Sequence, residues 1–297
     1  MPHDFPGIWR KTVEKNLKES PEAPWLEGVE ELTGPVTEFG AGTIGEKNTI
    51  HIPTTDFEPT VLINNTAYPL SVEDYDDNSI TVNLDKYQTN PTSVSDDQIV
   101  GASYEQITVV TGSHVDAINE KKYAKAAHTI APQENTLKTP VIKKAAKTSA
   151  ALDAAILALK LSWDNLKYPL KGRRLVLSNE DANLLLADRE RYAHLFANRN
   201  EGTPAPLIHG FQVFQNVDNP YYSSATSKKN AFGTVPTEGD VQATFAFVVK
   251  GVAKKTGFTK QYFADASRDP KLQTNLLNYR HYFIAIPKRA QGIGAII

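Results

Sequence analysis

The sequence predicts an α+β protein made of an N-terminal arm, an extended β-hairpin loop, one unusually long helix and a mixed α/β section. Three observations predict it. Short β-type runs bounded by Pro, Asn or Asp fill Lys47 to Asp85, and apolar residues then recur every three or four positions from Ile107 to Ile130. After Arg174, short strand patterns alternate with helical ones before a β-rich C-terminus.

Taken in order, residues 1–38 carry Pro2, Pro6, Pro21, Pro24 and Pro35 around one charged stretch, Lys11 to Lys18, which argues against an independent core and predicts an arm. Thr49–Ile52, Val61–Ile63 and Ile80–Leu84 read as strands, the last with clean alternation. Their acidic connector, Glu73 to Asp77, cannot enter a core without partners, so the hairpin is expected to project into solvent or to bridge subunits. Ser95 to Gln98 and Ser103 to Gln106 both fit a capping box. The spacing of Ile107, Val110, His114, Ile118 and Lys122 then predicts a helix to Ile130, stopped by Pro132 and roughly 42 Å long from Ser103.

Thr139-Pro140 is expected to open a second helix, with Pro at the first position, where no N–H is needed. Leu152, Ile156, Leu159 and Trp163 form its buried stripe, and Pro169 lies beyond its end. Arg174–Leu177 reads as a buried strand, Ser178 as an N-cap, and the run through Leu184, Leu185 and Leu186 as a helix. Phe211–Phe214, Ala243–Val249 and Leu276–Pro287 read as strands, Ala197–Pro206 and Tyr221–Gly239 as loops, and there is no internal repeat.

Composition narrows the function. The 297 residues fit one large or two modest domains, and 32 Lys plus Arg against 34 Asp plus Glu give a net charge of -2, without the basic excess of a dedicated nucleic-acid binder. With 40% hydrophobic and 22% charged residues the chain is that of a folded protein. It has no cysteine, which excludes disulfides, thiolate metal sites and cysteine nucleophiles. Neither a signal-peptide pattern nor a membrane-spanning run is present, so a soluble product of the cytoplasm is expected and the sequon at Asn64-Asn65-Thr66 is read as chance.

Several motifs resemble chemistry without completing it. Gly40-Ala41-Gly42-Thr43-Ile44-Gly45 satisfies GxGxxG, with Glu58 near the spacing of a ribose-binding carboxylate. A dinucleotide site needs a helix directly afterwards, yet Asn48–Pro53 is β-like, so a turn entering the hairpin is the preferred reading. Asp74, Asp76, Asn78 and Asp85 occupy positions 1, 3, 5 and 12 of a calcium-loop template, but Ser79 replaces the required Gly and the flanks are β-type. Gly251–Gly257 lacks the Lys-Ser or Lys-Thr of a phosphate loop. His3, His51, His114, His128, His194, His209 and His281 include no zinc motif, and Ser178 lacks the flanking glycines of a nucleophile elbow. Tyr104, Tyr123, Tyr279 and Tyr282 read as core or interface anchors. No catalytic, cofactor or metal residue is assigned.

Gly172-Arg173-Arg174-Leu175-Val176-Leu177-Ser178-Asn179-Glu180, followed by Leu184–Leu186 and by Ile208-His209-Gly210-Phe211-Gln212-Val213-Phe214-Gln215-Asn216, resembles tailed-phage major capsid proteins, whose fold encapsulins share. Asp269-Pro270 to Ile297 looks like that family's closing sheet, particularly Arg280–Pro287 and Gly292–Ile296. Order and spacing agree over about 250 residues. The resemblance implies an arm (1–38), an extended loop (39–92), a peripheral domain on a spine helix (93–138 and 270–297) and an axial domain (139–269). It implies a non-enzymatic subunit of hexamers and pentamers in an icosahedral shell around double-stranded DNA, made in the bacterial cytoplasm and contacting DNA non-specifically, with portal and decoration proteins as further partners. A separate scaffolding protein is expected, since only a short arm precedes the loop and the chain starts at Met1. Some members crosslink Lys to Asn; Lys47 lies at the loop's root, but no motif marks an acceptor. An encapsulin-like compartment and a nucleotide-binding α/β enzyme are the alternatives.

Overall fold

The computed structural model describes residues 5–18, 23–33, 49–54, 60–66, 68–73, 78–95, 105–188, 190–192, 206–265 and 274–297. The chain divides into two units, Leu32–Leu84 and Met1–Glu31 joined with Asp85–Ile297.

In the larger unit the described helices are α1 (Phe5–Lys18), α2 (Glu105–Ile130), α3 (Ser149–Asn165) and α4 (Asn179–Ala187). A six-stranded sheet runs in the order β6 (Val141–Ile142), β15 (Ile293–Ile296), β12 (Thr244–Val248), β7 (Arg173–Leu177), β9 (Phe211–Gln215) and β8 (Leu207–Ile208). β12 is antiparallel to both neighbours, whereas β7 and β9 are parallel, joined by a crossover that carries α4. Alternation decides what each face buries. Leu175, Leu177, Ala246, Val248 and Ile296 meet Leu152, Ile156, Leu159 and Trp163 of α3 and Leu185 of α4. Val176, Phe245 and Phe247 meet Trp25, Leu26 and Val29 with the C-terminal turns of α2.

The second sheet has β13 (Val252–Ala264) and β14 (Thr274–Pro287) as long antiparallel partners. β1 (Glu30–Glu31) lies parallel on β13, and β4 (Asp85–Gln88) and β5 (Thr92–Ser95) pair with β14. Val115 and Ile118 of α2 pack on Leu277 and Tyr279 of β14 together with Val13 and Leu17 of α1. In the smaller unit β2 (Thr49–Thr54) and β3 (Asn78–Asn83) form an antiparallel pair from Thr49 opposite Asn83 to Thr54 opposite Asn78.

Several expectations hold in detail. The stripe Leu152, Ile156, Leu159 and Trp163 is fully buried, the strand before Ser178 forms, and the long helix ends at Ile130 as its periodicity requires. Others are corrected. Thr139-Pro140 does not open a helix: Pro140 offers its carbonyl to Ala295 N–H (3.0 Å) and Val141–Ile142 joins β15 in parallel. The helix starts only after Thr148, whose side chain accepts the Ala151 N–H at 3.3 Å. Tyr221–Ser223 forms β10, paired with β11 (Asp240–Gln242), inside a stretch expected to be loop. Residues 252–264, given no element, form the partner that β14 requires. Arg280–Pro287 and Gly292–Ile296, expected to close one sheet, lie in β14 and β15 and so in different sheets; Gly292, at φ +65°, turns the chain between them. β4, β5 and β13 share a sheet with β14.

The N-terminal segment packs on other elements of the larger unit and forms no core of its own. Charge and proline masked its few apolar residues, yet Val13, Leu17, Trp25, Leu26 and Val29 are buried, with Trp25 set edge-on to Phe245 at 5.6 Å. Arg174 donates to the carbonyls of Trp25 (2.7 Å) and Glu27 (2.5 Å), fastening the segment to β7.

Close packing at β15 gives a test. A Cβ at Gly294 would lie 2.6 Å from Leu159 Cδ1 and 3.3 Å from the Pro140 carbonyl oxygen. Gly294→Val is therefore expected to destabilise the larger unit by about 1–3 kcal/mol through overpacking, seen as a lower melting temperature by circular dichroism. An unchanged transition would contradict this packing.

Candidate functional site

The Gly172-Arg173 pair earns its place geometrically. Gly172 adopts φ +82° and accepts the Val249 N–H at 2.9 Å, which brings the start of β7 against β12. Buried Arg173 donates to the carbonyls of Tyr168 and Pro169, both at 2.9 Å, and pairs with Asp164 at 2.8 Å, closing the end of α3.

Ser178 is a cap. Its Oγ accepts the Asp181 N–H at 3.3 Å, while its own N–H donates to Thr244 Oγ1 at 3.0 Å. Thr244 donates in turn to Asp181 Oδ2 at 2.5 Å, and Lys144 forms an ion pair with Asp181. Both side chains of that pair are buried and bonded, so the cluster fastens α4, β12 and the segment after β6 together. A second polar knot joins Asp153 of α3 to Tyr192 and to His209 Nε2, the latter at 2.5 Å. Burial alone would raise the Asp153 pKa; hydrogen bonds from Tyr192 and His209, with the charges of His209 and Arg191, bring it below the ordinary value.

The C-terminal end of α2 is closed by a residue remote in sequence. Buried Lys229 donates to the carbonyls of His128 (2.6 Å) and Ala131 (2.5 Å), and His128 Nε2 meets the Asn230 carbonyl at 2.8 Å. Burial and the nearby Lys125 charge lower the Lys229 pKa to about 8.

Gly40–Gly45, Lys47, Glu58, Asp74 and Asp76 lie outside the described residues, as do His3, Tyr104 and His194. Asn78 falls in β3 and Asp85 in β4, and no group of three or more described His, Asp or Glu residues could hold a metal ion. Gly251–Gly257 ends a short 3-10 turn and runs into β13, not a phosphate-binding loop. His114 packs against Tyr279 (5.5 Å) and His281 bonds Thr259 (3.0 Å), both buried; Tyr279 and Tyr282 are core residues and Tyr123 is half-buried.

The smaller unit carries a different feature. Val61, Leu62, Ile63, Tyr68, Leu70 and Val72 are each 53–91% exposed, and Val61–Ile63 forms no strand. Glu73 reaches back to the Thr60 N–H at 3.1 Å, a bond that lowers its pKa. Six large apolar side chains within these twelve positions face solvent, an unusual density for exposed residues. The sequence pattern flagged only Val61–Ile63 here, as a strand; Tyr68, Leu70 and Val72 follow no period, and their signal was density alone.

The described polar clusters fasten elements within the larger unit, and the smaller unit leaves six large apolar side chains exposed. The family model described as "Phage capsid protein" matches residues 77–296. The chain belongs to that family: it is a major capsid protein, a subunit of the icosahedral shell of a virion. Solved structures share the fold. The capsid of cyanophage P-SCSP1u is 15% identical with TM-score 0.56, covering 91% of this chain and 92% of that one. The structure titled Mycobacterium phage Che8 is 16% identical with TM-score 0.53 over 84% of each chain. A virus-like particle from Pyrococcus furiosus is 8% identical with TM-score 0.59 over 98% of each. No curated protein matches by sequence.

Replacing Lys229 tests the helix closure. Lys229→Met leaves the buried Ala131 carbonyl and the partly buried His128 carbonyl without their donor and is expected to cost about 1–3 kcal/mol. The native pKa lies below the ordinary lysine value of 10.5, so the folded state binds fewer protons and stability should rise from about pH 8 toward 10.5. Chemical denaturation across that range should show the rise in the parent chain and a smaller one in Lys229→Met.

Proposed function

We propose that this chain assembles as hexamers and pentamers, closing a shell around double-stranded DNA in the bacterial cytoplasm with the help of a separate scaffolding protein. The two sheets divide the labour. The five-stranded sheet with α2 serves as the peripheral domain and the six-stranded sheet as the axial domain, while residues 1–38 act as an arm and 39–92 as the extended loop, which supplies β4 to the peripheral sheet and ends at the start of β5. Portal and decoration proteins complete the particle. Catalysis plays no part. With a net charge of -2, free subunits should bind DNA weakly and without sequence preference, an association lost at physiological salt.

The observation that carries this reading is the exposed apolar run Val61–Val72. Apolar surface left in water on a folded subunit is stabilised by covering it, and copies of the same chain, arranged by symmetry, cover it repeatedly. A compartment of encapsulin type would assemble by the same surfaces and hold protein cargo; particle contents distinguish the two, nucleic acid against enzyme.

Replacing Thr54–Asn78 with a short Gly-Ser connector tests the reading. The core stripes of α3 and β7 lie elsewhere, so the melting transition should persist while sedimentation shows no particles. Intact shells, or loss of cooperative unfolding, would each contradict it.

A further inference from the structure

The loop that follows β10 is fastened to the C-terminal half of α2 largely by basic groups. Lys229 reaches the carbonyls of His128 and Ala131, its own backbone N–H donates to the Gln133 carbonyl at 2.9 Å, and Lys125 Nζ stands 4.7 Å from the centre of the Phe232 ring. His128 holds the same loop. Its Nε2 donates to the Asn230 carbonyl at 2.8 Å, and its ring meets that of Phe232 at 5.5 Å and 73°. Asn230–Thr234 wall a cavity of about 500 Å³ that Lys121, His128, Asp218 and Tyr221 also line.

We propose that the loop Lys229–Thr234 is a proton-sensitive clasp: a proton taken up by His128 releases it from α2 and opens the cavity it walls. The neutral ring suits the site. It is half-buried, it needs only its Nε2 hydrogen to hold Asn230, and the Lys229 and Lys125 ammonium groups stand close enough to repel a charge on it. A second ring proton adds a third positive charge where water is partly excluded, and repulsion there is stronger than in bulk solvent. Nearby carboxylates are engaged elsewhere. Asp85 of β4 faces Lys125, Asp218 faces Lys121, Glu134 pairs with Lys228, and Asp240 accepts hydrogen bonds from Thr237 and Asn230. Burial is the main cause that lowers the His128 pKa from its ordinary value; the bond to Asn230 opposes it, and the two lysine charges add to it. The sign follows. A histidine whose pKa is depressed in the docked state favours docking above 6.5 and loses that advantage as pH falls below it, by which point Lys229, with a pKa of about 8, is already charged. His114, likewise lowered by burial, packs on Tyr279 of β14, so its titration bears on that contact and not on the loop.

Amide hydrogen exchange of the full chain tests this directly. The Lys229 and Asn230 N–H groups are bonded to the Gln133 and Tyr221 carbonyls, both at 2.9 Å, and exchange once the loop leaves. After correction for the intrinsic pH dependence of exchange, their protection should fall roughly five- to tenfold between about pH 7.5 and about pH 5.5; the upper bound is set by a released ring of ordinary pKa 6.5, about ten parts protonated to one neutral at the lower pH. Arg173–Leu177 of β7 should keep its protection. His128→Gln retains a donor for Asn230 but takes no charge, so its loop protection should stay level across the range. Lys125→Gln removes one neighbouring charge and should lessen the fall. Unchanged protection in the parent chain, or an equal fall in His128→Gln, would overturn the proposal, as would a parallel loss in β7, which marks general unfolding. Should His128→Gln fail to fold, an undiminished fall in Lys125→Gln overturns it.

Discussion

The larger unit depends on one short strand buried on both faces. In β12, Phe245 and Phe247 point into the core made with Trp25 and α2, and Ala246 and Val248 into the core made with α3. Five residues thus hold two hydrophobic layers at a fixed separation, because successive side chains of a strand leave in opposite directions. The strand is antiparallel to β7 and β15, which fixes its register from both sides, and Thr244 at its start bonds the buried Asp181. A one-residue slip would turn phenylalanines toward α3 and alanine toward Trp25. The 3-10 turn Val249–Gly251 then leads directly into β13, so β12 also sets where the second sheet begins.

Around that strand the polar groups act as fasteners. Arg174 holds the N-terminal segment by two of its carbonyls, Lys229 holds the end of α2, and the Lys144–Asp181 pair holds α4 to β12. Each joins elements distant in sequence and satisfies groups that burial would otherwise leave unbonded. Among the described residues of the smaller unit, Val61, Leu62, Ile63, Tyr68, Leu70 and Val72 stand exposed.

What the sequence disclosed was local physics. Ser178 beside an apolar run signals a cap wherever it occurs, and the stripe Leu152 to Trp163 fits a helix with no knowledge of its partner. The resemblance at Gly172–Glu180 and Ile208–Asn216 then placed those pieces in a family that the match over residues 77–296 establishes. What stayed hidden was settled at long range. Residues 252–264 alternate poorly and include Gly257, yet become a strand because β14 supplies a ladder of backbone bonds. Pro140 looked like a helix start, but the edge of β15 needed a partner more than α3 needed another turn. Trp25 sits among prolines and charges, and only the position of Phe245 and Phe247 shows that it is a core residue.

The central claim is that copies of this chain need one another to cover what their own fold leaves exposed. Negative-stain electron microscopy of the purified, unsubstituted protein, paired with sedimentation, measures that most directly. The account predicts closed particles of regular curvature, or rings of subunits that close when a scaffolding protein is supplied. A protein that remains a monodisperse monomer at high concentration with the scaffold present would contradict it.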